Sequence, residues 1–144
     1  MNGGKQKSVV LILARELASN IATAMLVLDE RGTLVFFNEP AEQILGTTFA
    51  STGEIPAGEW DKKWDIVDRT GSPISLLESP LAVCITEQRP AHGELCVTGL
   101  DGHHRCVETT VYPLFDSGQR HVGAVGVFWE TDGPIERPHE DAPA

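Results

Sequence analysis

Five side chains of types that bind metals crowd one short stretch of the chain: His92, Cys96, His103, His104 and Cys106. A structural zinc site needs four such ligands converging tetrahedrally, so the question is whether a hairpin can bring them to one face. Asp101-Gly102 lies between two runs of strand-forming residues and reads as a two-residue hairpin turn. In that register Cys96 shares a face with Val107 and Cys106 shares one with Val97, because side chains alternate along a strand. The two thiols then project from opposite sides of the sheet. A three-residue turn with a bulge would change this register. His104 with Cys106, or His103 with a residue opposite, are the combinations left to act together, which falls short of a zinc site. No metal is expected.

Catalysis finds no better footing. An enzyme needs a nucleophile, a base and an orienting group in one cleft. The chain holds no Gly-x-Ser-x-Gly, Walker loop, dinucleotide fingerprint or His-Glu-x-x-His. Glu108 and Tyr112 stand at even spacing on one strand and can share a sheet face. Desolvated, Glu108 could bind a ligand cation or hydroxyl; its ordinary reading is a solvated carboxylate or a partner of Arg105. Cys84, in Val83-Cys84-Ile85-Thr86, reads as a buried thiol acting as a small hydrophobe. Trp60 and Trp64 can line a pocket entrance or simply fill a core. The chain is not expected to be an enzyme.

Composition narrows the partners. The 144 residues carry 21 acidic against 11 basic side chains, a net charge of −10 that opposes binding to nucleic acid or anionic lipid. The longest N-terminal apolar run, Val9 to Ala14, stops at Arg15 and Glu16, well short of the roughly 20 residues of a membrane span. With no signal segment and an odd three cysteines, a cytoplasmic location is expected.

These side chains must be positioned by a modest set of elements. Residues 8–21 space Val10, Leu13, Leu17 and Ile21 along one helical stripe, while Val9, Leu11 and Ile12 widen the apolar surface beyond one face. That excess leaves two covers open, a partner subunit or the chain's own sheet. Residues 24–29 and 33–38 form a hairpin around Glu30-Arg31-Gly32. Asn38 then caps a helix from Glu39, which holds Ala41, Ile44 and Leu45 and ends at Gly46. Residues 47–59 read as a surface loop, the segment expected to be most mobile. Trp64 to Val67 reads as a short strand before the turn Asp68-Arg69-Thr70-Gly71. Ser79-Pro80 starts a helix reaching about Gln88. Residues 94–98, 104–112 and 120–129 make a three-stranded meander, and the last strand, apolar or small on both faces, should be central. The chain thus divides into a flanking helix within 1–21, a domain over 22–130 and a disordered acidic, proline-containing tail over 131–144. The expected fold class is α+β, one five-stranded antiparallel sheet with short helices over one face.

The run Leu28-Asp29-Glu30-Arg31-Gly32 to Phe36-Phe37-Asn38-Glu39-Pro40-Ala41-Glu42-Gln43-Ile44-Leu45-Gly46 resembles the opening of a PAS domain. In that family the second strand typically ends in Asn and leads to a helix with Ala-Glu and a terminal Leu-Gly. The later segments agree in order and spacing: Asp68-Arg69-Thr70-Gly71-Ser72-Pro73-Ile74, then Ser79-Pro80-Leu81-Ala82, Leu100-Asp101-Gly102, Tyr112-Pro113-Leu114 and Gly123-Ala124-Val125-Gly126-Val127-Phe128. The resemblance covers about residues 18–130.

PAS domains are sensory and interaction modules of signal transduction, and the resemblance implies a pocket between sheet and central helices. Its candidate lining is Trp64, Ile66, Leu77, Leu81, Cys84, Ile85, Cys96 and Val107. A homodimer through Val10, Leu13 and Leu17, a small-molecule ligand and a separate signalling partner are the expected associations. The alternative is a side-chain-filled interaction module without ligand; a small enzyme using the same cavity is a third. The cofactor is unknown. Light-sensing relatives carry a flavin-reactive cysteine in an Asn-Cys-Arg-like run, which this chain lacks. Haem-binding relatives often place a histidine on the helix that here runs Leu81 to Gln88 without one, and His92 falls beyond Pro90. Both groups are therefore disfavoured. Trp129, ending the last strand, is a candidate contact for the N-terminal helix.

Overall fold

A computed structural model describes residues 8–74 and 79–131. Helix α1 (Val9–Ala18) is followed by β1 (Ala24–Asp29) and β2 (Leu34–Phe37). Among the described residues four short helices come next: α2 (Glu39–Leu45), α3 (Phe49–Thr52), α4 (Trp60–Lys63) and α5 (Pro80–Glu87). The meander β3 (Ala91–Thr98), β4 (His104–Phe115) and β5 (His121–Glu130) completes an antiparallel sheet of order β2-β1-β5-β4-β3. β5 is central, as its double-sided apolar pattern requires. The expected tail, beyond Thr131, and Leu77 lie outside the described residues.

Sheet alternation makes two cores. On the inner face Leu28, Phe37, Leu95, Val107, Val111 and Phe128 pack against the helices α2, α4 and α5. On the outer face Met25, Val27, Val35 and Val125 pack against Leu11, Ala14 and Ala18 of α1. The stripe that α1 buries is therefore one position away from the Val10, Leu13, Leu17 stripe expected from spacing. Leu13 and Leu17 are 61% and 57% exposed, together with Val9 and Ile12, and Val10 is half-buried. Small Ala14 and Ala18 allow close approach to the sheet, which a leucine stripe would not. Arg15 closes the packing, its guanidinium lying 4.8 Å from the Phe36 ring centroid.

Asn38 ties the outer and inner halves together. Its Oδ1 accepts from the backbone N–H of Met25 and of Ala41, at 3.0 and 3.1 Å. Its Nδ2 donates to the carbonyls of Ala18 and Thr23, both at 2.9 Å. All the hydrogen-bonding capacity of a primary amide at a 2% exposed site is thus used. One side chain caps α2, holds the end of α1 and orders the start of β1.

Three loops share one design. Asp29, Asp68 and Asp116 each accept from backbone N–H groups two and four residues on, through Oδ1. In each the fourth residue takes positive φ: Gly32, Gly71 and, exceptionally, Gln119 at φ 68°. The carboxyls of Asp68 and Asp116 are held below their ordinary range, chiefly by hydrogen bonds from Thr70 and from the Arg120 backbone. The segment expected as a bare loop over 47–59 contains α3 and the bridge of Ile55 to Leu34, which buries Ile55 as a local anchor. Trp64 to Val67 is not a strand; α4 precedes it and Val67 alone bridges to Cys96.

Asn38→Ala should lower the unfolding free energy by about 3 kcal/mol in urea titration, since it strands buried groups on three elements. Gln119→Gly should raise it by up to about 1 kcal/mol, the αL cost of a side chain outweighing the added chain entropy. Because the folded-state pKa values of Asp68 and Asp116 are depressed, their contribution is complete above the ordinary carboxylate range near pH 4 and is lost as pH falls through the depressed values. The urea midpoint should therefore decline on acidification below about pH 4.

Candidate functional site

Two tryptophans shape the inner cavity. Trp60 donates its indole N–H to the Gly32 carbonyl and Trp64 donates to that of Leu45, both at 2.9 Å, so each turns its polar edge outward and its ring inward. Trp64 meets Phe37 edge-to-face at 6.1 Å. The floor is the inner sheet face, with Leu95, Val97, Val107 and Phe128, and Leu81 of α5 closes one side. Among the described residues of the lining Thr109 is the one polar side chain besides the indoles.

The C-terminus of α2 is locked onto the β3–β4 loop at the cavity's edge. Leu45's carbonyl also accepts from Leu100 N–H at 2.9 Å, and Ile44's accepts from Arg105 Nη1 at 2.9 Å. Gly46 is required there, because it is left-handed at φ 72° and a Cβ would stand 2.6 Å from the Asp101 backbone nitrogen. Asp101 itself is held far below the usual carboxylate range, first by the His103 backbone and ring and then by Arg105.

The cavity is small, about 50 Å³. Sites for drug-sized ligands run to roughly 300–1,000 Å³, several times this volume. A second cleft of about 200 Å³ lies outside it, lined by Lys62, Asp65 and Pro73 among others. Trp60, Ile66, Leu81 and Leu95 line both spaces and form the wall between them.

Of the pocket residues expected from sequence, Trp64, Ile66, Leu81 and Val107 line the cavity. Cys84 and Ile85 do not; Cys84 is fully buried in the core behind it, where burial pushes its thiol up to about 11. Cys96 is misplaced altogether. The β3–β4 loop runs Gly99 to His103, which bond each other, with Gly102 N–H donating to Gly99. This three-residue connection shifts the register by one, so Cys96 stands opposite Cys106. Both thiols point to the outer face, and they are joined as a disulfide with Cα atoms 3.9 Å apart. The expectation of opposite faces fails because Asp101-Gly102 sits at the second and third loop positions rather than forming the whole turn. Trp60, read from sequence as lining a pocket entrance or filling the core, lines the cavity; Leu26, Leu34, Leu95 and Phe128 were not among the expected residues, and alternation within the strands would have found the last three.

The outer face carries the remaining polar candidates. Glu108 pairs with His92 Nε2 at 2.7 Å, not with Arg105, and His92 Nδ1 bonds Thr110 Oγ1 at 2.7 Å. Tyr112 and Trp129 are 48% and 44% exposed on the same face, and Trp129 borders a groove with Ala18 and Ile21 at the end of α1. His104 bonds Thr98 at 2.8 Å and His103 bonds Asp101. Among the described residues no cluster of three metal-binding side chains occurs, and no helix is long and apolar enough to cross a membrane.

A five-stranded sheet of this order, with short helices over its inner face and a flanking helix on its outer one, is the PAS fold. The chain is similar in structure to the PAS domain of a Colwellia psychrerythraea protein, with a TM-score of 0.59, 18% identity and coverage of 85% of this chain and 97% of that one. It is similar likewise to the PAS domain of nitrogen regulation protein NR(II) from Vibrio parahaemolyticus, with a TM-score of 0.57, 17% identity and coverage of 83% and 98%. The Rhodobacter sphaeroides LOV protein gives a TM-score of 0.67 at 14% identity, over 95% of this chain and 75% of that one. No protein-family model and no curated sequence matches the chain.

Native Cys84 should react with iodoacetamide at pH 8 at least about a hundredfold more slowly than after unfolding, because both burial and the raised thiol pKa suppress the thiolate. The alkylated fraction is read by mass spectrometry.

Proposed function

We propose that this chain is a signal-transduction module of the PAS type, which pairs with a second copy through α1 and relays the state of its inner cavity to a separate protein. The observation that carries this reading is the divided surface of α1. One stripe packs on the sheet, while Val9, Ile12, Leu13 and Leu17 on the other remain 48–67% exposed. Four large apolar side chains on a ten-residue helix form a patch of the kind that a partner surface covers. A second copy is the occupant proposed, since the same stripe can pair with itself about a twofold axis.

The cavity supports a sensor of small molecules. Its lining is apolar but for Thr109, and four side chains separate it from the outer cleft, so displacement of Ile66 or Leu81 would merge the two spaces. A compact apolar ligand would enter by that route. To act as a signal it must bind one arrangement of helix and sheet more tightly than another. The same small volume favours a second reading, an interaction module whose core is filled by its own side chains. Both readings go with the cytoplasmic location expected from the sequence.

Sedimentation at tens of micromolar should show a dimer for the wild type and a monomer for Leu13→Asp and Leu17→Asp. A wild-type monomer at that concentration overturns the dimer. Native mass spectrometry after gentle isolation distinguishes the two cavity readings, with a retained small mass supporting the sensor. Val107→Phe should abolish that mass while leaving the dimer intact.

A further inference from the structure

The outer-face disulfide sits at the crossing of two chain segments. Cys96 exchanges both backbone hydrogen bonds with Val67, at 2.8 and 2.9 Å, on the side away from β4. Cys106's carbonyl accepts from Thr131 N–H at 3.1 Å, on the side away from β3. The two cysteines therefore form a non-hydrogen-bonded pair, the register in which facing side chains come closest. By the same registers Thr131, Cys106, Cys96 and Val67 make one row across the outer face, and nothing but the S–S bond joins its middle two members.

Arg69 lies over this row. The loop bonds of Asp68 present Arg69 two residues beyond Val67, hence on the same face and opposite Glu94. Its Nε donates to Glu94 Oε1 at 3.0 Å, its Nη2 to Glu94 Oε2, and Nη2 also to Thr131 Oγ1 at 3.1 Å. One guanidinium thus reaches from the edge segment to the residue following β5, on the face that carries the disulfide. Beneath it Cys96 and Cys106 are only 6% and 5% exposed. The cover is a two-pronged ion pair of partly exposed side chains, so it shields the sulfurs with groups that solvent can reach.

We propose that Cys96–Cys106 is a redox site, gated by Arg69 and opened by a dithiol reductant, whose state is read where the chain leaves β5 at Thr131. A thiolate of the reductant attacks one sulfur to give a mixed disulfide, and its second thiolate then displaces the protein thiol. The reductant ends as a disulfide, and the protein gains two electrons and two protons as two thiols. Two unbonded sulfurs need more room than a bonded pair, so β3 and β4 part locally, and the anchors on the two cysteines, Val67 and Thr131, loosen. This rests on the cytoplasmic reading, because intracellular disulfides in ordinary organisms are usually transient or redox-sensing, whereas in an oxidising compartment the bond would stay closed as a staple.

The test is reduction of the intact oxidised protein by dithiothreitol under native conditions, followed by thiol alkylation and by amide exchange. Reduction should proceed with the fold retained, and the Thr131 and Val67 amides should lose protection by about tenfold or more while Val27 and Val125 keep theirs. Arg69→Ala should speed reduction about fivefold to tenfold, and Asn38→Ala, which destabilises the whole fold, should not. Cys96→Ser with Cys106→Ser should show the loosened Thr131 amide in every redox buffer. If Asn38→Ala accelerates reduction as much as Arg69→Ala, reduction goes through global unfolding and the gate does not exist. If Thr131 keeps its protection after reduction, the bond is a staple with no readout. Either result overturns the proposal and leaves the α1 dimer untouched.

Discussion

The amide of Asn38 is the constraint on which the rest of the molecule depends. Four hydrogen bonds from one buried side chain hold α1, the α1–β1 connection, β1 and α2 in fixed relation. A buried amide is stable only when its donors and acceptors are met, so this residue favours the arrangement in which all four bonds form. Because α1 lies on the outer face and α2 begins the inner layer, the same side chain sets both faces of the sheet against each other. The cavity behind α2 and the exposed stripe of α1 are thereby parts of one rigid frame.

That frame places different chemistry on the two faces. Inside, the tryptophan N–H groups are turned to backbone carbonyls, leaving a largely apolar space of about 50 Å³. Outside, beyond the edge of α1, lie the His92–Glu108 pair, the disulfide and the Arg69 cover. The central strand β5 serves both, with Phe128 in the cavity wall and its neighbour Trp129 on the outer surface. A change in either space is one residue away from the other along the backbone.

Much of the fold was legible because it is encoded locally. Asn38 as cap, Gly46 as stop and Ser79-Pro80 as a helix start each act within a few residues, and all occur in the structure. The double apolar pattern of β5 announced a central strand because only burial on both faces tolerates it. The cavity was partly legible, since Trp64, Ile66, Leu81 and Val107 belong to recognisable elements. Cys96 and Cys106 were misread because a one-residue difference in loop length reverses every face along a strand. For α1, hydrophobic spacing left open which of two apolar faces meets the sheet. Ala14 and Ala18 won by size, which a periodicity count does not weigh.

By itself the sequence determined α1, α2, α5 and the five strands, most of their caps, the α+β class and the negative charge that opposes nucleic acid, all properties carried by short stretches or by composition. The tertiary structure alone decided how large the cavity is, which side of α1 is left uncovered and that two cysteines meet under Arg69. Those depend on register and packing between segments distant in the chain, where a shift of one residue or one methylene changes the answer while leaving every local signal intact.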